Sequence, residues 1–163
     1  MDFLKRLKDR APEYDAQYYD MILEFTIEQG ARMGRQTEEE RWIQGKYFTT
    51  RYEMYMYAAA LGLRKNYRLP IVRGTGKQKF IEMRSWQPME VTDYLIMGIL
   101  AKSDLDFNAM EDMEEEAVEM ELTKLRNLLE EYANGGFDLI RAKKEREPSF
   151  FLNDNCFLDL LDL

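Results

Sequence analysis

Apolar residues recur at alternating steps of four and three through Val118, Leu122, Leu125, Leu129 and Tyr132, the clearest periodic run in the chain. That spacing keeps side chains on one face of an α-helix. Asn134, Gly135 and Gly136 follow it and read as a helix end. A shorter helix is predicted next, with Phe137 and Ile140 inward, Arg141, Lys143, Lys144 and Arg146 outward, and Pro148 as its stop. Upstream, Tyr14, Tyr18, Met21, Ile22 and Phe25 repeat at three and four. They predict a helix opening near Pro12, a residue suited to a first turn because its missing N–H would be unpaired there anyway. Phe3, Leu4 and Leu7 mark a short amphipathic helix before it. Two Thr-x-x-Glu patterns, Thr37 with Glu40 and Thr50 with Glu53, are capping boxes that start further helices. The first of these helices carries Trp42 and Ile43; the second puts Tyr52, Tyr55 and Ala59 on one face. The second is predicted to close at Gly62 in the left-handed conformation, with Leu63 packing back on the last turn. Pro88 precedes a helix over Met89 to Ala101, with Val91, Tyr94, Leu95 and Ile99 inward.

Between these helices, "PIVRGTGKQKFIEMRSW" (residues 70–86) has two short strand-like pieces around a Gly-rich turn, read as a small β-hairpin near residues 70–84. The fold expected is therefore mainly α: one helical domain of six to eight helices over residues 1–148, with that hairpin as its β element. Residues 149–163 form an apolar tail with a final short helix.

Composition tightens this. The 163 residues are 45% hydrophobic and 13% aromatic, which argues against disorder. A chain of this length buries roughly 70% of its unfolded surface. Thirty-one acids against 23 bases give a net charge of −8, which disfavours adhesion of the whole surface to nucleic acid or anionic membrane. There is no histidine and one cysteine, Cys156. Internal disulfides, Ser-His and Cys-His nucleophile pairs and the usual helical dimetal ligand sets are thereby excluded. The N-terminal stretch scatters charge through its apolar residues and does not read as a signal peptide. No apolar run is long enough to span a bilayer, so no membrane partner is expected, and the expected setting is cytoplasmic.

Four features invite a functional reading. "RGTGKQ" has the Gly-Lys of a phosphate-binding loop, but Ile71 stands where the first glycine belongs and Gln78 where a magnesium-holding hydroxyl belongs, so it reads as a turn. The segment from 64 to 84 holds Arg64, Lys65, Arg68, Arg73, Lys77, Lys79 and Arg84 against one acid, Glu82, with Tyr67 and Phe80 interleaved and Trp86 just beyond. Bases track phosphates and rings stack on nucleobases, so this is a candidate surface for nucleic acid or another anionic partner; the reading the acidic whole favours is that the same bases balance the acidic helix or face an acidic protein partner. Seven acids between Glu111 and Glu121 read as a solvated helix face or a site for a basic partner. Phe157, Leu160 and Leu161 share one face of the tail helix and are candidate partner-docking residues, or else core. No residue is singled out as catalytic or metal-binding, no cofactor is expected, and the protein is not expected to be an enzyme.

Two segments carry a resemblance. "RYEMYMYAAALGLRKNYRLPI" (51–71) and "EEYANGGFDLI" (130–140) resemble small accessory proteins encoded in bacterial DNA-phosphorothioation (Dnd) gene clusters and related antiviral islands. The shared pattern is Ala58 to Gly62, the bases Arg64 to Arg68, Pro70-Ile71 and, later, Tyr132 to Gly136. The resemblance implies bacterial DNA-based defence and a larger protein subunit of a defence complex as partner. It leaves open direct DNA contact and self-association.

Overall fold

The computed structural model describes residues 2–27, 47–71 and 81–163, together with the backbone strand at 77–79. The Thr37 capping box with its helix, Arg73, the glycine turn and Phe80 lie outside the described residues, as do the side chains of Lys77 and Lys79.

Helix α1 (Phe3–Lys8) opens on Asp2, whose carboxylate accepts from the Lys5 N–H at 3.0 Å, and buries Phe3 and Leu7. The helix expected from Pro12 is instead three short pieces. Strand β1 (Glu13–Asp15) comes first, then a 3-10 turn (Ala16–Tyr18), then α2 (Tyr19–Phe25). Asp15 accounts for the break: its carboxylate takes the Gln17 N–H at 3.1 Å, a local bond that competes with helix. The predicted apolar set is still inward, since Tyr14, Tyr18, Met21, Ile22 and Phe25 are all buried. β1 pairs antiparallel with β2 (Lys77–Lys79), Glu13 opposite Lys79 and Asp15 opposite Lys77. The β element near residues 70–84 thus finds its described partner across the molecule, while Met83–Ser85 turns into 3-10 helix.

Helix α3 (Arg51–Arg64) starts at Thr50 as expected. The Thr50 hydroxyl accepts from the Glu53 N–H at 3.2 Å, and the Glu53 carboxylate reaches back to the Thr49 N–H at 2.8 Å. α3 does not stop at Gly62. The left-handed residue is Asn66, with φ of 49°, and Tyr67 N–H donates to the Gly62 carbonyl at 2.8 Å to close a Schellman-type end. α4 (Met89–Lys102) follows Pro88 and buries Thr92, Leu95, Ile96 and Ile99. Two residues expected inward, Val91 and Tyr94, are exposed, because the covered stripe runs along the opposite side of the helix.

The largest difference is α5 (Glu115–Arg146), a single helix of 32 residues running straight through Asn134-Gly135-Gly136. Its predicted stripe is buried, and burial continues through Ala133, Phe137 and Ile140. A 3-10 turn (Pro148–Leu152) leads into α6 (Cys156–Asp162). The molecule is built around the packing of α3 against α5, with α1, α2, α4 and α6 around that pair.

Candidate functional site

The α3–α5 contact explains why glycines sit inside helices. A methyl group built on Gly62 would lie 2.1 Å from the Tyr132 carbonyl oxygen, and one on Gly136 would lie 1.8 Å from that of Ala58. One on Gly135 would meet the Tyr67 carbonyl oxygen at 2.3 Å. Each clash is with backbone, so the two main chains approach in a way that admits hydrogen only. Asn134 Nδ2 donates to the carbonyls of Leu69 and Pro70 at 3.3 and 3.2 Å, and Leu69 N–H donates to the Glu131 carbonyl at 3.0 Å. The loop after α3 is thereby fastened along α5. "AAALG…RLPI" and "YANGG" are two halves of one joint.

Next to this joint lies a polar cluster centred on Asp138. Its carboxylate accepts from the Tyr67 hydroxyl at 2.9 Å and from Arg141 at 2.7 Å. Arg141 also donates to Gln17 at 2.6 Å, Gln17 donates to Asp15 at 2.9 Å, and the guanidinium sits 4.9 Å over the Tyr18 ring. The bond to Asp138 holds the Tyr67 hydroxyl protonated, which raises its pKa; burial raises that of Tyr18. The cluster ties α5 to the 3-10 turn Ala16–Tyr18.

The described bases of the 64–84 segment go to separate places. Arg64 Nε donates to the Leu161 carbonyl at 2.6 Å and its Nη2 pairs with Asp162 at 3.3 Å. Lys65 Nζ donates to the carbonyls of Leu161, at 3.2 Å, and Leu163. Carbonyls in a last helical turn lack partners within the helix and favour positive charge, so these two residues cap α6. Arg68 faces Glu131 at 3.5 Å, and Arg84 pairs with Asp9 at 3.3 Å on the far side of the chain. Arg68 joins Lys102, Lys124, Asp104, Glu121 and Glu131 around a cleft of about 450 Å³ in which acids and bases balance.

The acidic run is partly spent on α1. Arg6 pairs with Glu115 at 2.5 Å and with Glu119, and Arg10 also pairs with Glu119. The hydrogen bonds from Arg10 and Arg6 hold the Glu119 carboxyl below the usual carboxylate range. Among the described residues no group of three His, Cys, Asp or Glu side chains could hold a metal ion.

Of the tail residues proposed for docking, Phe157 and Leu160 are buried and Leu161 is half-buried. Phe157 sits edge-on to Phe25, Tyr47, Phe48 and Tyr57 with ring centroids 4.9–5.2 Å apart. The Tyr57 hydroxyl donates to its carbonyl at 2.5 Å. That face is covered by the chain's own core, which corrects the docking assignment for Phe157 and Leu160. Burial pushes the Cys156 thiol up, away from the reactive thiolate.

Helix packing with internally paired polar side chains describes a mainly α-helical domain. The chain belongs to the family described as DNA sulphur modification system-associated protein 4, whose model matches residues 17–152. Neither the curated proteins nor the solved structures yield a match. No described helix is long and apolar enough to cross a membrane.

Proposed function

We propose that the chain is a non-enzymatic accessory subunit of a DNA sulphur modification system in prokaryotic antiviral defence. In this reading it binds a larger ATPase, nuclease or modification component in the cytoplasm. The observation that carries the reading is the joint itself. The two segments through which the chain resembles Dnd-associated proteins spend Gly62, Gly135, Gly136 and Asn134 on packing and loop attachment. They build a rigid body, and its outer surfaces are left to meet a partner.

The test is co-expression of the tagged chain with the other components of its modification system, followed by size-exclusion chromatography. A stoichiometric complex is expected. Migration of the chain alone, with DNA sulphur modification and defence unchanged when the chain is deleted, overturns the proposal. A second reading, a nucleic-acid-binding module using residues 64–86, draws on Arg68 and Arg84, whose side chains stay more than half exposed despite their ion pairs. Binding to duplex or single-stranded DNA that weakens steeply with salt supports it; absence of such binding eliminates it.

A further inference from the structure

Arg68 and the C-terminal end of α4 meet α5 around the cleft of about 450 Å³. Its charges balance in total but not from end to end. At one end Lys102 Nζ donates to Asn66 Oδ1 at 3.2 Å, two residues before Arg68, and Arg68 faces Glu131. Two bases there meet one acid. At the other end Lys124 pairs with Glu121 at 3.0 Å. The Lys124 ammonium titrates above its usual range, through the Glu121 hydrogen bond first and then through the neighbouring Asp104 charge. Two acids there meet one base. Lys124 and Glu131 stand seven residues apart on α5, about 10 Å along the helix. Between them the lining includes Leu125, which is buried, and Leu128, which is half-buried.

Both ends have binding capacity to spare. Arg68 and Glu131 stand 3.5 Å apart, beyond the reach of a charge-assisted hydrogen bond. The Arg68 guanidinium makes no hydrogen bond among the described residues. Lys102 has given one of its three protons, and to a neutral amide. The Asp104 carboxylate accepts no hydrogen bond among the described residues. A polyanion laid along the cleft would meet Asp104 and Glu121 as well as the bases, and a polycation would meet Arg68 and Lys102. A ligand with one charge of each sign, suitably spaced, meets neither obstacle.

We propose that this cleft binds a small zwitterion whose charges lie about 10 Å apart, its anionic group on Arg68 and Lys102 and its cationic group on Asp104 and Glu121. The proposal stands apart from the accessory-subunit reading, since the cleft can fill whether or not the chain enters a complex.

An extended tripeptide, at about 3.3–3.6 Å per residue, holds its terminal ammonium and carboxylate at about that separation, so glycyl-leucyl-glycine is the probe. Its N-acetyl form keeps only the anion, its C-terminal amide keeps only the cation, and free glycine holds both charges too close together. Amide chemical shifts of the full chain follow each titration. The tripeptide should shift the amides of residues 68–69, 102–104 and 121–131 saturably. Each capped form, and glycine, should bind at least about tenfold more weakly. Arg68→Gln and Asp104→Asn alter exposed side chains, so the rest of the spectrum should keep its wild-type pattern. Each should weaken the tripeptide about tenfold, and Arg68→Gln should also narrow the gap between the tripeptide and its amide. No saturable shift of these amides, equal binding of a capped form, or undiminished affinity in Asp104→Asn overturns the proposal. Inorganic phosphate binding the same amides as tightly as the tripeptide would show a site for anions only, and overturns it as well.

Discussion

Replacing Gly136 by alanine adds one methyl group, and its cost follows from two opposed effects. Within a helix the change is favourable by about 1 kcal/mol, because alanine loses less backbone freedom than glycine. In this molecule the new carbon would sit 1.8 Å from the Ala58 carbonyl oxygen, 2.5 Å from its carbon and 2.8 Å from the Ala58 Cα. A carbon and a carbonyl oxygen need about 3.3 Å, so α3 and α5 must separate along their most tightly packed stretch. Overpacking of a core costs about 1–3 kcal/mol where side chains can give way; here the obstacle is main chain, which cannot. Gly136→Ala should therefore destabilise by about 2 kcal/mol or more after the helix-propensity gain. For a chain of this size that is a fall in Tm of about 4–8 °C. Gly98→Ala is the internal control. Its added carbon meets only the end of the Leu63 side chain, at 3.1 Å, so its effect should be near zero or mildly stabilising. Urea unfolding followed by circular dichroism measures both. If Gly136→Ala is as stable as wild type, or more so, the close backbone approach is wrong and Gly136 is an ordinary helix-end glycine.

Phe157→Ala should cost about 3–5 kcal/mol in the same assay, because the ring is buried among five others, whereas a fall below half a kcal/mol would return the tail to a docking role. Leu125→Ala, at a site 2% exposed, should cost about 2–5 kcal/mol, and a negligible loss would undo the α5 core assignment. Burial raises the pKa of Tyr14 and Tyr47 to about 12 and raises those of Tyr18, Tyr55 and Tyr57 as well. Unfolded tyrosines ionise near about 10, so stability should be undiminished below that pH and fall as pH rises from about 10 to 12. Absorbance at 295 nm against pH should show these phenols ionising together with unfolding, and their titration near 10 in the folded protein would contradict the burial.

Periodicity made the elements with one strong face legible in advance. The α5 stripe, the Thr50 cap and the start of α4 after Pro88 stand where the spacing placed them. Glycine was the source of the main errors. Gly62, Gly135 and Gly136 carry the usual local marks of helix ends, and only their partners across the α3–α5 contact reveal them as points of close approach. One available signal was the step of four between Ala58 and Gly62, which puts two small residues on the same helix face. The bases after Gly62 were legible as helix-end chemistry in kind, but they serve the carbonyls of α6, about a hundred residues away in sequence. The run from Tyr14 to Phe25 faces inward as its spacing predicts but is not one helix, because Asp15 forms a local bond that periodicity does not register. The exposed side of α4 was hidden for a related reason. When both sides of a helix are apolar, spacing cannot say which one the core covers.

The central claim is that the segments 51–71 and 130–140 are spent on each other, as one rigid joint with α5 continuous through its two glycines. Native-state hydrogen exchange at single-residue resolution tests it most directly. The account predicts that the amides from Ala133 to Ile140 exchange among the slowest in the chain, opening only with global unfolding. Fast exchange at Asn134, Gly135 and Gly136, with slow exchange on either side, would show a helix that ends and restarts there, and would contradict it.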